Sequence, residues 1–358
     1  MKQDQTRAVV PNRPYLMSAA RMSGPTMLAV ACLLVWAGCQ TKPITPSAPV
    51  APETTEQVET LRQPPPGHMI VVAGKRFDAG TRVVTWDEPE GYNAYLVPPS
   101  PAGKPTEPYE NLGVRKLPDP AGGDPIEPAT PLDLVALRAV VDQVVLHYDS
   151  KGFSAQTFAI LQKRGLSAHF LLDVDGTIYQ TLDLRERAYH ATIANSRSIG
   201  IEIANLGAYP PGETQEIDAW YQTLSDGKIV MRPPPESGPS GVRTPDFVAR
   251  PDRPGLIRGL IHGRELDQYD FTPEQYAALA KLLAALHRVF PKLALDYPRD
   301  ADGRLLLTAM SAEEFNEFHG LIGHFHIQRN KIDPGPAFQW DRLLDAARRE
   351  IESTKVTY

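Results

Sequence analysis

The sequence predicts an α/β domain in which helices flank a mixed central β-sheet, and three observations carry that prediction. Short apolar runs of β type, such as Gln143 to Tyr148 and Ser198 to Asn205, alternate with segments of helical periodicity. Thr272-Pro273-Glu274-Gln275 is a strong helix start, with an N-cap hydroxyl, proline at the first helical position and glutamine where a capping box needs it. Phe338 to Ile351 reads as a closing amphipathic helix.

The elements follow in order. An apolar stretch from Met27 to Cys39 follows Arg21, is short for a bilayer span and ends in small residues, the pattern of a secretory signal over residues 1–38. Ala37-Gly38-Cys39 resembles a bacterial lipobox, with Trp36 where leucine is usual, so Cys39 is the expected lipidation site and an uncleaved anchor the alternative. An exported outer-membrane lipoprotein facing the periplasm is the expected location, with Gln40 in place of an aspartate after the cysteine. Residues 39–66, rich in Pro, Thr, Ser and Glu, read as a tether, and 67–130 as an N-terminal extension with short β-type runs. The main domain spans 131–358. Within it Leu134 to Val141 is a short helix or the lead-in to a strand, and Ser154 to Gly165 a helix with Ser154 as N-cap and Gly165 as stop. Ala168 to Leu182 is a hairpin turning at Asp175-Gly176, and the Pro-rich stretch 207–258 an insertion.

Composition narrows the function. A net charge of −6 without a basic block points away from nucleic acid. The only cysteines are Cys32 and Cys39, so the exported part has neither disulfides nor thiolate ligands, and any metal is held by histidine and carboxylate.

The segment from Gly323 to Pro336 concentrates such groups. A zinc hydrolase needs three protein ligands and one open position, and His324 and Asp333 suit two of those slots. Lys331 is placed to put a positive charge where a tetrahedral oxyanion develops. Asp333-Pro334-Gly335-Pro336 can continue neither a helix nor a central strand, which fixes the carboxylate on a loop of restricted shape. His326 is a rival ligand, since in an extended strand it faces the same way as His324. His147 ends a buried strand, His169 opens the hairpin, His190 follows Ala188-Tyr189, and Glu202 alternates with Ile201 and Ile203.

This set, in this order, resembles the zinc-dependent N-acetylmuramoyl-L-alanine amidases of the type 2 amidase family, which share a fold with peptidoglycan recognition proteins. The resemblance covers roughly residues 140–206 and 255–345. It implies zinc on His147, His324 and Asp333, a catalytic carboxylate at Glu202 and an oxyanion lysine at Lys331. It also implies a substrate-facing His190, with Asn195 in the loop after it. His169 is a further substrate-binding candidate and, like His319, equally readable as a supporting residue behind the ligands. The implied reaction is hydrolysis of the amide between N-acetylmuramic acid and L-alanine in peptidoglycan or its fragments. The alternative is a lipoprotein of the same fold that binds muropeptides without cutting them.

Overall fold

The computed structural model describes residues 67–96, 111–119 and 123–355; the expected signal segment, Cys39 and the tether lie outside the described residues. The centre is a six-stranded sheet in the order Gly320–Gly323, Gln143–Tyr148, Ser198–Ile203, Phe170–Leu172, Ile178–Gln180, Val83–Thr85. The first four strands run parallel, Ile178–Gln180 returns antiparallel as the second arm of the hairpin, and Val83–Thr85 lies parallel to it. The expected mixed α/β sheet is therefore what forms.

Strand alternation divides the apolar side chains between two faces. Val144, Leu146, Ile199, Ile201 and Ile203 enter one core cluster with Leu279, Leu282, Leu283 and Leu286 of the helix Pro273–Val289 and with Leu343 and Leu344 of the helix Trp340–Lys355. Leu283 is fully buried there, and its truncation to alanine costs about 2–5 kcal/mol in such a core. Val145, Leu171 and Ile322 face the other way. His147 follows Val145 by two residues and shares its face. Glu202, its Cα partner in register on the next strand, projects opposite Ile201 and Ile203. One pleat thus places an imidazole and a carboxylate side by side at the carboxyl ends of neighbouring parallel strands, where open α/β sheets bind ligands.

The capping box at Thr272 forms as the sequence predicts: its hydroxyl accepts from Gln275 N–H and the Gln275 side chain accepts from Thr272 N–H. Leu134–Val140 is a helix, capped by Asp133. The helix Ser154–Arg164 differs in detail. Its N-cap is Phe153, without a side-chain cap, and the buried Ser154 hydroxyl has no partner. Ser154 already has helical geometry, which turns its oxygen away from the orphan N–H groups that an N-cap residue reaches. Gly165 ends the helix in the left-handed region, at φ 68°.

The N-terminal extension is woven into the domain. Besides supplying Val83–Thr85 it pairs Leu112–Val114 antiparallel with Glu186–Ala188. The insertion begins with Ala208–Tyr209, which joins the hairpin Leu256–Ile261/Arg264–Tyr269. Trp220 and Met231 then pack with Phe153 and Val174, Gln156 Nε2 donates to Ser237 O at 2.7 Å, and Thr244 Oγ1 donates to Asp175 at 2.7 Å. The Pro-rich chain straps the helix Ser154–Arg164 to its neighbours. Among the described residues no helix is long and apolar enough to cross a membrane.

Candidate active site

Three buried side chains from distant parts of the chain converge at the carboxyl end of the sheet. His147 ends its strand, His324 follows directly on Gly320–Gly323, and Asp333 lies on the loop beyond. Asp333 Oδ2 is 2.8 Å from His147 Nδ1 and 3.0 Å from His324 Nδ1, and the two Nδ1 atoms are 3.1 Å apart. The loop is held from outside. Gln268 Nε2 donates to Pro334 O at 3.0 Å, and its Oε1 accepts from Ala337 N–H at 3.0 Å. Gly335 sits at φ +86°, and a Cβ there would lie 2.2 Å from Gln268 Oε1, so only glycine serves at that position.

Outer hydrogen bonds settle where the imidazole protons reside. His324 Nε2 is 2.7 Å from Gln328 Oε1, an acceptor, so the ring proton is on Nε2 and Nδ1 carries a bare lone pair. On the other side Ser198 Oγ donates to Ala194 O at 2.7 Å and accepts from His190 Nε2 at 3.3 Å. His190 Nδ1 is then an acceptor for His147 Nε2 at 3.1 Å, and His147 Nδ1 is bare as well. Burial, with the neighbouring His324, depresses the His147 pKa to about 4 and keeps it neutral. Burial raises the Asp333 carboxyl, but the two histidine rings outweigh it and hold the pKa well below the usual carboxylate range.

Two lone pairs and a carboxylate oxygen converging without a proton repel one another unless a cation lies between them. These are the only described residues that form such a histidine–carboxylate group. A tetrahedral zinc ion with ligands ~2.0–2.1 Å away needs ligand atoms roughly 3.3 Å apart; the triangle here is a few tenths of an ångström tighter. The donor set fits a divalent ion held by two neutral imidazoles and one carboxylate.

The triad opens into a cleft of about 350 Å³, lined also by His190, Glu202, Lys331, Ile160 and Leu161. Burial, then the Asp333 and Asp149 carboxylates, push the Glu202 pKa well above the usual glutamate value. The Lys331 N–H donates to Gln328 O at 3.0 Å and its carbonyl accepts from His262 Nε2 at 3.1 Å, leaving the ammonium free to face the cleft.

The fold brings together His147, His190, Glu202, His324, Lys331 and Asp333. It puts other expected residues elsewhere. His326 is not extended from His324: the two lie in a 3-10 turn, and His326 Nδ1 accepts from Gly323 N–H while Nε2 donates to Leu306 O. His169 is fully buried and outside the cleft lining, its Nδ1 accepting from Gly200 N–H, so it does not face substrate. Asn195 is buried too, and its Oδ1 accepts from His190 N–H and Ala191 N–H, which braces the loop. His319 lies near the surface and contacts Asp142. Sequence reasoning missed Gln328, whose only signal is its place four residues after His324, and Ser198, which opens the Glu202 strand.

Residues 137–241 match the family model Amidase_2, N-acetylmuramoyl-L-alanine amidase. No curated protein matches the chain. Among solved structures a selenomethionine AmpD derivative aligns at 18% identity, over 66% of this chain and 89% of that one, with a TM-score of 0.31. The endolysin amidase LysCS from Clostridium intestinale aligns at 16% identity, over 62% and 90%, with a TM-score of 0.32. AmiD from E. coli, in complex with anhydro-N-acetylmuramic acid-L-Ala-D-gamma-Glu-L-Lys, aligns at 18% identity, over 66% and 65%, with a TM-score of 0.31. Likenesses this distant say nothing about activity. Through residues 137–241, which hold His147, His190 and Glu202, the chain belongs to the Amidase_2 family of N-acetylmuramoyl-L-alanine amidases.

Proposed function

We propose that the protein hydrolyses the amide bond between N-acetylmuramic acid and the L-alanine of the stem peptide, with zinc held by His147 Nδ1, His324 Nδ1 and Asp333 Oδ2. The observation that carries this reading is the convergence of those three unprotonated atoms beside Glu202 and Lys331 in one cleft. Bound zinc supplies Lewis-acid polarisation of a carbonyl and acidification of water near neutral pH. Glu202 takes the proton of the attacking water and returns it to the leaving amine, a task suited to a carboxyl whose pKa burial has raised toward the working range. The Lys331 ammonium stabilises the oxyanion, a contribution of about 3–4 kcal/mol for such donors. Gln328 and His190 fix the tautomers of His324 and His147 so that both rings present a lone pair.

The test uses protein lacking residues 1–39 with defined muropeptides and purified peptidoglycan, with and without chelator, and mass spectrometry of the products. Stem peptide beginning at L-alanine, absent with chelator and in Glu202→Ala, is the expected result. Zinc and muropeptide bound without any cleavage would refute turnover. We further propose that the chain is exported and anchored by a lipid on Cys39, a reading supported by the signal-type stretch before that residue. Incorporation of a fatty-acid label that disappears in Cys39→Ser is the expected outcome; a label unaffected by the substitution would remove the anchor.

A further inference from the structure

We propose that Asn111 to Arg115, in the N-terminal extension and outside the segment matched to the family, form a brace for the active site, and that Arg115 is its positioning residue. Arg115 is completely buried and has no carboxylate within ion-pairing distance among the described residues. Its guanidinium is satisfied by main-chain oxygens. Nε donates to Leu184 O at 2.9 Å, Nη1 donates to Ser196 O at 3.0 Å and Ser198 O at 2.9 Å, and Nη2 lies 2.8 Å from His169 Nε2. A buried cation without a counter-ion is costly, and burial depresses the Arg115 pKa to about 9. Only a fork of rigidly directed donors can gather carbonyls from two separate chain segments.

The segments gathered are those that set His190. Ser196 and Ser198 belong to the turn whose Asn195 side chain holds the His190 main chain and whose Ser198 hydroxyl accepts from the His190 ring. The same short stretch grips the other side of the motif. Gly113 lies so close beneath the Tyr189 hydroxyl that a Cβ would be 2.5 Å from it, Asn111 O accepts from Ser167 Oγ at 2.5 Å, and Ser167 Oγ accepts from Tyr189 N–H at 3.0 Å. Position passes from Arg115 to the turn, from the turn to His190, and from His190 Nε2 and Nδ1 to the tautomer of His147. This inference rests on the zinc-site reading for its consequence, and on hydrogen bonds alone for its geometry.

The experiment compares the parent protein with Arg115→Ala, Arg115→Lys and Arg243→Ala. The last removes a contact between insertion and extension, where Arg243 bonds Glu90 O at 3.0 Å away from the cleft, and controls for general loss of stability. Three readouts are taken well below each melting temperature: the hydrogen-bonded His190 Nε2–H resonance in the metal-free protein, zinc affinity by titration, and kcat against KM on a muropeptide. Arg115→Ala should lose the His190 resonance, weaken zinc by about tenfold and lower kcat similarly with KM little changed, the size of effect known for supporting partners of metal ligands. Low millimolar methylguanidinium should restore part of it, and equal ammonium none. Arg115→Lys, which keeps the charge and loses the fork, should fall between parent and alanine, and serves if Arg115→Ala does not fold. Arg243→Ala should match the parent in all three. An unchanged His190 resonance and parental zinc affinity in a folded Arg115 variant would overturn the proposal. If the parent neither binds zinc nor cleaves muropeptide, the amidase reading fails while the His190 resonance still decides the role of Arg115.

Discussion

Gly200 is read in the sequence only as a small residue in an alternating strand, yet the structure makes it the seat of the His190 ring. A Cβ built at Gly200 lies 2.6 Å from His190 Cγ and 2.7 Å from Cδ2 and Nδ1, where ordinary contact begins at 3.4 Å. In Gly200→Ala the ring must therefore retreat by roughly 0.8 Å, as close packing leaves no other relief. That ring is tied at both ends, to His147 at 3.1 Å and to Ser198 at 3.3 Å, and a retreat of that size breaks at least one bond. Two terms oppose each other in stability. Alanine is favoured over glycine in a strand by about 0.5–1 kcal/mol, whereas overpacking costs about 1–3 kcal/mol. Overpacking wins, and a net loss of about 1–2 kcal/mol is expected in urea unfolding. The functional effect is larger, because His147 loses the acceptor that fixes its tautomer: zinc affinity and turnover should each fall about 10–100-fold. Parental zinc affinity and turnover in Gly200→Ala, at any stability, would refute the claim that His190 sets His147.

Four further outcomes are expected. Glu202→Gln should bind zinc normally in a titration and lose about 10²–10⁴ in kcat; loss of zinc instead would make Glu202 a ligand. Gln328→Leu removes the acceptor of His324 Nε2 and should weaken zinc about 10–100-fold, an expectation that calorimetry contradicts if the two affinities coincide. In the metal-free protein the Glu202 carboxyl, followed by ¹³C shift, should titrate above the ordinary 4.5, since burial raises it; a midpoint at or below 4.5 removes burial as the tuning agent. Asp173 is buried, and burial lifts its pKa from the usual 3.8 to about 8. Between those values the unfolded chain has lost the proton that the folded protein keeps, so parental stability falls as pH rises through that window. Asp173→Asn should remove that fall, a relative gain of a few kcal/mol by pH 8; parallel stability curves for parent and variant would show that Asp173 does not titrate this way.

Much of the site was legible in the sequence because its chemistry sits on regular elements. Period-two alternation puts Glu202 opposite Ile201 and Ile203 whatever the fold, and proline and glycine around Asp333 force a loop. Local chemistry also fixes the Thr272 capping box, whose partners are three residues apart. The sequence failed where a residue's role depends on partners distant along the chain. His326 was a rival ligand only while His324 to His326 was taken as extended, and a 3-10 turn points its ring at Leu306 instead. His169 and Asn195 looked substrate-facing, but packing turned both inward to hold backbone.

By itself, then, the sequence determined the mixed α/β class and the residue types able to hold a metal, because these follow from periodicity and side-chain chemistry. Only the tertiary structure decided which nitrogen of each histidine is bare, that Gly200 must lack a side chain, and that a buried arginine from the extension stands behind the site. Those depend on contacts across tens to hundreds of residues, such as His147 with Asp333 and Arg115 with Ser198, and no local pattern encodes which distant atom will lie 3 Å away.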